Sequence, residues 1–456
     1  MARLFLSAAH KSSGKTTVSA GLCAALARRG LDVRPFKRGP DYIDPLWLGR
    51  AAGTTCYNLD FNTQAADEIT GLVARRGGGD ITLVEGNKGL YDGIDPDGAD
   101  SNAALARLLG TPVILVVDTV GMTRGIAPLL LGYRQFDPDL PIAGVILNRV
   151  GGERHESKLR TAVEGYTDLP VLGAVQRDSR LVIDERHMGL VPANEANAAN
   201  THLDRLADAV DAGVDVDAVL DAARAAPAPA PAAEAPPATP NGPRVRVGIA
   251  RDAAFGFYYP DDLEALEAAG AEIVPFDTLH ADRLPEAVDA LFLGGGFPET
   301  HMRSLAANRP LLNALSSAVT GGLPVYAECG GLMLLGRSLT RGPLTLEMAG
   351  ALPVDTAMDS TPQGRGTVRL RATGDAPWDP GADGAFPAHE FHYSRIVRLD
   401  GPLPFAYSVE RGHGMDGHND GLVRNNTVAA YAHLRNVRAT PWAARFVAFV
   451  RRCRGA

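Results

Sequence analysis

The chain has 456 residues, of which 45% are hydrophobic and 21% charged, enough for two or three domains that each bury a core of their own. A net charge of −8 without a concentrated basic stretch excludes a generic nucleic-acid-binding surface. The four cysteines, Cys23, Cys56, Cys329 and Cys453, fall in no paired spacing, which argues against a zinc site or a disulfide framework and for a reducing, cytoplasmic setting. No run approaches the roughly 20 apolar residues of a membrane span, so no membrane partner is expected.

In chain order, an apolar run at Leu4 to Ala8, a helical stretch at Thr16 to Arg29, and apolar runs at Asp32 to Lys37 and Ile81 to Glu85 alternate as β-α-β-α. Continuous apolar strands follow at Pro112 to Asp118, Ile142 to Asn148 and Val171 to Val175, of the kind buried on both faces of a parallel sheet. Residues 1–224 are therefore expected to form a doubly wound α/β domain. Its first turn reads Ser7-Ala-Ala-His-Lys-Ser-Ser-Gly14-Lys15-Thr16-Thr17 and opens a helix, where a phosphate loop belongs. There Ser13, Gly14 and Thr17 lie along the phosphates, Lys15 reaches the outer ones, and the Thr16 hydroxyl ligates Mg²⁺. Ala9 stands where the common pattern has glycine. Lys37, Asp41 and Asp44, in Arg34-Pro-Phe-Lys37-Arg-Gly-Pro-Asp41-Tyr-Ile-Asp44-Pro, follow the second strand. Glu85 and Asp92 stand where another buried strand meets a glycine turn. Taken singly each acid is a solvated loop charge in most proteins; three strand ends beside a phosphate loop predict a Mg²⁺ site instead.

Residues 225–243 alternate alanine and proline, which removes donors and fixes φ, so a semi-rigid linker is expected there. A second α/β pattern occupies 244–456, with a strand at Arg246 to Ala250, a helix at Asp261 to Gly270 and a strand at Ile273 to Phe276. After Leu346 the reading shifts toward β. Within this half, Pro324-Val-Tyr-Ala-Glu-Cys329-Gly-Gly-Leu-Met reads as strand, tight turn and helix. A cysteine there sits beside the positive end of the helix, which favours the thiolate and suits a nucleophile. A lone cysteine is more often a small core residue, but its neighbours weigh against that. The strand from Ala290 ends in Gly294-Gly-Gly, whose N–H groups can approach an oxyanion, and the run from Val428 ends on His433, the usual partner of a catalytic thiol. His389 and His392, spaced i, i+3 on a strand, point to opposite faces and do not suggest a metal pair.

Cys329, His433 and the Gly294 to Gly296 turn resemble the class I glutamine amidotransferases, and the phosphate loop resembles that of the dethiobiotin synthetase branch. Together with Lys37-Arg-Gly-Pro-Asp-Tyr-Ile-Asp-Pro, Ala388-His-Glu-Phe-His-Tyr-Ser394 and Tyr431-Ala-His433, these motifs resemble the cobyrinic acid a,c-diamide synthases over nearly the whole chain. The resemblance implies two doubly wound α/β domains, the first P-loop NTPase-like and the second class I glutamine amidotransferase-like. It implies amidation of the a and c acetates of a cobyrinate-type tetrapyrrole with ATP, Mg²⁺ and glutamine. Cys329 would be the nucleophile, His433 the proton shuttle, and Gly295 and Gly330 the oxyanion donors, with ammonia passing inside the protein. Thr16, Asp41 and Glu85 would ligate Mg²⁺, Lys37 and Asn148 would belong to the ATP site, and Tyr42 and Asp44 would line the carboxylate site. A homodimer is compatible with this reading. Arg435 stands where many class I members carry an acid two residues after the histidine, so His433 is oriented by another group or the site runs as a Cys–His pair, as the resemblance to the cobyrinic acid synthases implies. From that family's own pattern the chain departs at Asn87-Lys88, where a small or apolar pair is usual, and at Ala388, where the family has glycine. Lys88 can meet an extra acidic substituent, which leaves open a relative acting on sirohydrochlorin or sirohaem. A P-loop ATPase with a vestigial glutaminase domain would explain residues 1–223 but leaves Cys329 and His433 idle.

Overall fold

A computed structural model describes residues 2–186, 189–195, 198–227 and 242–455. The chain divides into two compact units, Met1–Glu234 and Ala235–Ala456. The division falls within 228–241, so most of the expected linker lies outside the described residues.

In the first unit, strands β1 (Ala2–Ala8), β2 (Val33–Arg38), β3 (Tyr57–Leu59), β4 (Ile81–Glu85), β5 (Val113–Asp118), β6 (Ile142–Val150) and β7 (Val171–Gln176) form one sheet in the order β3-β2-β4-β1-β5-β6-β7. Every pairing is parallel. Parallel strands need crossovers, supplied by α1 (Lys15–Arg28), α2 (Ile43–Ala52), α3 (Ala66–Arg76), α4 (Asn102–Leu109), α5 (Ile126–Phe136) and α6 (Glu153–Tyr166). A two-stranded hairpin, β8 (Glu185–Arg186) and β9 (Gly189–Leu190), precedes α7 (Ala199–Gly213) and α8 (Val216–Arg224). The absence of a side chain at Gly21 lets α1 approach α7: a Cβ there would stand 2.9 Å from the Leu206 carbonyl oxygen. The strand order brings the carboxyl ends of β1, β2 and β4 side by side, where ligands bind in open α/β sheets.

The second unit carries a nine-stranded mixed sheet. Its parallel half runs β12 (Ala271–Phe276), β10 (Val245–Ala250), β13 (Ala290–Leu293), β15 (Val325–Glu328), β24 (Thr427–Ala430). From β24 the sheet continues antiparallel through β23 (Asn419–Arg424), β22 (Phe405–Arg411), β19 (Gly364–Ala372) and β20 (Ala385–His392). The doubly wound expectation describes the first half, and the antiparallel extension is the β-rich tail of the sequence. One bridge, His389 to His433, joins the last strand to the chain just past β24. Smaller sheets pair β11 (Phe255–Phe257) with β14 (Gly295–Gly296), and join β16 (Ser338–Arg341), β17 (Leu344–Glu347), β18 (Val354–Met358) and β21 (Ser394–Leu399). Helices α9 (Pro260–Ala268), α10 (Met302–Ala307), α11 (Arg309–Thr320), α12 (Gly330–Leu335) and α13 (Trp442–Gly455) complete the unit. Phe292, Tyr326, Trp378, Trp442 and Phe446 form an aromatic cluster behind β15, with Phe292 and Tyr326 stacked at 5.3 Å. Among the described residues, no helix is long and apolar enough to cross a membrane.

Candidate active sites

β15 is buried along its length and delivers Cys329 to a turn with φ 47° and ψ −97°, a conformation that is costly for a residue with a Cβ. The turn is held by the Cys329 N–H, which donates to the Ala430 carbonyl at 2.7 Å. Glycines surround it because backbone approaches on every side. A Cβ on Gly331 would lie 2.2 Å from the Leu293 carbonyl oxygen, and one on Gly296 2.0 Å from that of Ala254. A Cβ on Gly295 would lie 2.7 Å from His433 Cε1, and one on Gly330 3.1 Å from the Gly296 nitrogen. The expected oxyanion pair, Gly295 and Gly330, thus stands beside the cysteine and the histidine. Gly331→Ala, two residues past the nucleophile, is expected to destabilise the second unit by about 1–3 kcal/mol, read as a lower urea midpoint together with lost glutamine hydrolysis.

His433 is 4% exposed and hydrogen-bonds Cys329. Its Nδ1 lies 3.0 Å from Glu328 Oε2. Burial opposes a charge on this imidazole, but Glu328 and the bond to Cys329 outweigh it and push the pKa up to about 10. Glu328 Oε1 accepts from the Tyr326 hydroxyl at 2.6 Å and from the Leu434 N–H at 3.0 Å. Glu328 is not among the site residues expected from the sequence. Its signal was a carboxylate ending the otherwise uncharged strand Val-Tyr-Ala-Glu, since a buried acid needs dedicated partners. Arg435 turns away from the site: it pairs with Asp261 at 2.8 Å, lies over the Tyr259 ring at 4.7 Å and is 1% exposed, tying the segment after the histidine to α9. His389 exchanges backbone hydrogen bonds with His433 at 3.1 and 2.7 Å and its ring lies 6.3 Å away. Burial, then the neighbouring His433 and His392, depress its pKa to about 3, so it is a neutral neighbour. His392, on the opposite face of β20, stacks on Tyr431 at 3.9 Å.

In the first unit the phosphate loop leads into α1 through Gly14, whose φ of 81° suits glycine. Ser13 Oγ donates to the His10 carbonyl at 2.8 Å, and Asn148 Nδ2 donates to the Ser13 carbonyl at 2.8 Å, so Asn148 at the end of β6 braces the loop. At Ala9 the carbonyl accepts from the Tyr133 hydroxyl. Lys15 Nζ donates to the Lys88 carbonyl at 2.6 Å. Burial and the nearby charge of Lys37 lower the Lys15 pKa to about 8. Thr16 Oγ1 donates to Glu85 Oε1 at 2.9 Å and to Asp44 Oδ2 at 3.3 Å; Thr17 occupies the next position of α1. Lys37 Nζ lies 2.6 Å from both Asp44 and Glu85, which overcome its burial and hold it charged well above the ordinary lysine range.

The cluster thus contains Thr16, Lys37, Asp44 and Glu85. Asp44, expected on the substrate side, faces the threonine that was to carry Mg²⁺. Asp41 Oδ1 instead accepts from the N–H groups of Ile43 and Asp44 at 2.8 and 3.1 Å, capping α2 just after Tyr42. Burial and the charge of Asp44 raise the Asp41 pKa. Among the described residues no group of three or more His, Cys, Asp or Glu is set to hold a metal by itself. Mg²⁺ at phosphate sites takes one or two protein oxygens and draws the rest from phosphates and water. Glu85 fits that role: its Oε2 is buried without a hydrogen-bond partner, beside Thr16 Oγ1.

Comparison with known proteins accounts for both halves. Residues 7–191 match the CobQ/CobB/MinD/ParA nucleotide binding domain, and residues 246–438 match the CobB/CobQ-like glutamine amidotransferase domain. Three relatives named cobyrinate a,c-diamide synthase are similar end to end. That of Magnetococcus marinus is 46% identical over 449 residues, covering 97% of this chain and 95% of the relative. Those of Methanosarcina acetivorans and Archaeoglobus fulgidus are each 39% identical, covering 95% and 98% of this chain and 92% and 96% of their own lengths. Similarity of this extent leaves neither the phosphate loop nor the cysteine turn as a stray motif, and the chain belongs to the cobyrinate a,c-diamide synthase family.

Proposed function

We propose that this protein amidates the a and c acetate carboxylates of a cobyrinate-type tetrapyrrole, using ATP to activate each carboxylate and glutamine as the nitrogen source. The observation that carries the reading is the hydrogen-bonded Cys329–His433 pair at a positive-φ turn, in the same chain as the Gly14-Lys15-Thr16 phosphate loop. In the second unit the Cys329 sulfur attacks the side-chain carbonyl carbon of glutamine, and the oxyanion is held by the N–H groups near Gly295 and Gly330. His433 gives its proton to the departing nitrogen, ammonia leaves, and water then cleaves the thioester to glutamate.

In the first unit Ser13, Gly14 and Lys15 hold the phosphates of ATP while a substrate carboxylate oxygen attacks the terminal phosphorus, the bond from that phosphorus to the β-phosphate oxygen breaks, and ADP leaves the acyl phosphate behind. Thr16 and Glu85 would hold Mg²⁺, which when bound neutralises phosphate charge. Lys37 pairs with Glu85 and holds the Asp44 carboxyl below the ordinary carboxylate range beside the phosphates, and Asn148 keeps the loop in shape. Ammonia then displaces phosphate from the acyl phosphate to leave the amide. Activation is required because a carboxylate does not condense with ammonia in water unaided.

Mass spectrometry after incubation with ATP and glutamine tests the reading on cobyrinate, hydrogenobyrinate and sirohydrochlorin in parallel. A cobyrinate-type acid is expected to gain an amide at each of two carboxylates. Amidation of sirohydrochlorin in preference to both, or hydrolysis of ATP and glutamine with no amide formed, would overturn it.

A further inference from the structure

The position two residues after His433 cannot orient it, because Arg435 is cationic and is spent on Asp261. Yet a histidine that exchanges protons with a thiol must present a fixed tautomer, and a carboxylate at the far nitrogen is the usual means. We propose that Glu328, the residue immediately before the nucleophile, is the positioning acid of the glutaminase site, so that one strand end supplies both the nucleophile and the group that orients its base. The assignment rests on the glutaminase reading above.

The geometry supports it at each atom. Oε2 receives His433 Nδ1 at 3.0 Å, while Oε1 is fixed by the Tyr326 hydroxyl at 2.6 Å and the Leu434 N–H at 3.0 Å. One of these donors belongs to β15 and the other to the residue next to His433, so the carboxylate spans the same two segments that the catalytic pair does. Tyr326 is fully buried in the aromatic cluster and Glu328 is 2% exposed, so water does not compete for these bonds. A Cβ on Gly295 would run into His433 Cε1, so the ring is walled on that side as well. With Nδ1–H committed to Glu328, Nε2 is left for Cys329. The titratable groups acting on His433 are Glu328 and Cys329 from β15 and its turn, and His389 from β20, which is neutral. The acid thus reaches His433 from the nucleophile's own strand rather than from the segment that follows the histidine.

Glu328→Gln tests the proposal. The amide can accept from Tyr326 and Leu434, but it offers His433 a donor, which moves the imidazole proton to the nitrogen facing Cys329. Glutamine-dependent kcat/KM is expected to fall by about 10²- to 10⁴-fold, with ammonium-dependent synthesis retained and with Glu328→Asp recovering part of the loss. In residual activity the basic limb of the pH profile should move to lower pH, because the imidazolium has lost its counter-charge; a purely structural role would not move it. Should the glutamine variant fail to fold, the parent protein decides the matter. With ¹⁵N-labelled histidine, His433 should keep a protonated Nδ1 far above the ordinary histidine pKa. A folded Glu328→Gln protein within a few-fold of parent activity, or a His433 that titrates near the ordinary value, would overturn the assignment. A parent protein that hydrolyses no glutamine would count against the glutaminase reading instead, since the resonance measurement does not depend on turnover.

Discussion

Cys329→Ser is expected to abolish glutamine-dependent amidation, by on the order of 10⁴-fold or more, while leaving synthesis from ammonium salts near the parent rate. The nucleophile stands at the turn after β15 in the second unit, whereas the phosphate loop and the Thr16, Lys37, Asp44 and Glu85 cluster are built wholly from the first. The substitution is nearly isosteric, so the strained turn, with its Cys329 N–H to Ala430 bond and its glycine-only neighbours, is kept. A serine hydroxyl is a far weaker nucleophile than a thiolate in surroundings arranged for a thiol–imidazole pair. The measurement is amide formed with saturating glutamine against amide formed with ammonium chloride. Equal loss with both nitrogen sources would show that the cysteine belongs to the synthesis step, and no loss with either would remove it from the chemistry.

How far the sequence discloses this machinery differs between its two ends. The parallel sheet of the first unit was legible because stretches such as Val113 to Asp118 and Ile142 to Asn148 are runs of consecutive apolar residues rather than alternating ones, a pattern with few other solutions. The cysteine turn was legible for a local reason, since strand, cysteine and two glycines are contiguous. Contacts between distant segments were harder to read. Glu328 is adjacent to Cys329 in sequence, but its partner is 105 residues away, and only the pairing of β15 with β24 brings them together. Asp41 and Asp44 lie three positions apart around the first turn of α2, and which of them faces Thr16 depends on how that helix is capped. The antiparallel extension from β23 to β20 has alternating burial, Phe386, Ala388, Glu390 and His392 facing one way, and two of those four are polar. Alternation therefore gave the strands without giving the sheet they join.

Lys15→Ala is expected to lower synthesis by about 10²- to 10³-fold or more with either nitrogen source, and to spare basal glutamine hydrolysis. In the structure the Lys15 ammonium rests on the Lys88 carbonyl, 7% exposed, among Lys37, Glu85, Asp44 and Asp92. Burial and the charge of Lys37 bring its pKa down to about 8, below the lysine value of the unfolded chain. The sign follows by linkage: between about pH 8 and the ordinary lysine pKa the unfolded chain binds more protons at this site, so the contribution of Lys15 to nucleotide-free stability rises with pH across that window. Phosphate oxygens would reverse the preference by giving the ammonium an anionic partner. Lys15→Met, which keeps the stem and removes the charge, should therefore flatten that part of the stability profile of the nucleotide-free protein while losing the stabilisation that added ATP gives the parent. Urea titrations at pH 7 and pH 10, with and without Mg·ATP, measure both effects. A Lys15→Met protein that keeps the parent's pH slope and its ATP-dependent shift would take Lys15 out of the phosphate site. One that loses the pH slope but keeps the ATP-dependent shift and amidates at the parent rate would mean that the loop binds nucleotide without using this lysine in the transfer.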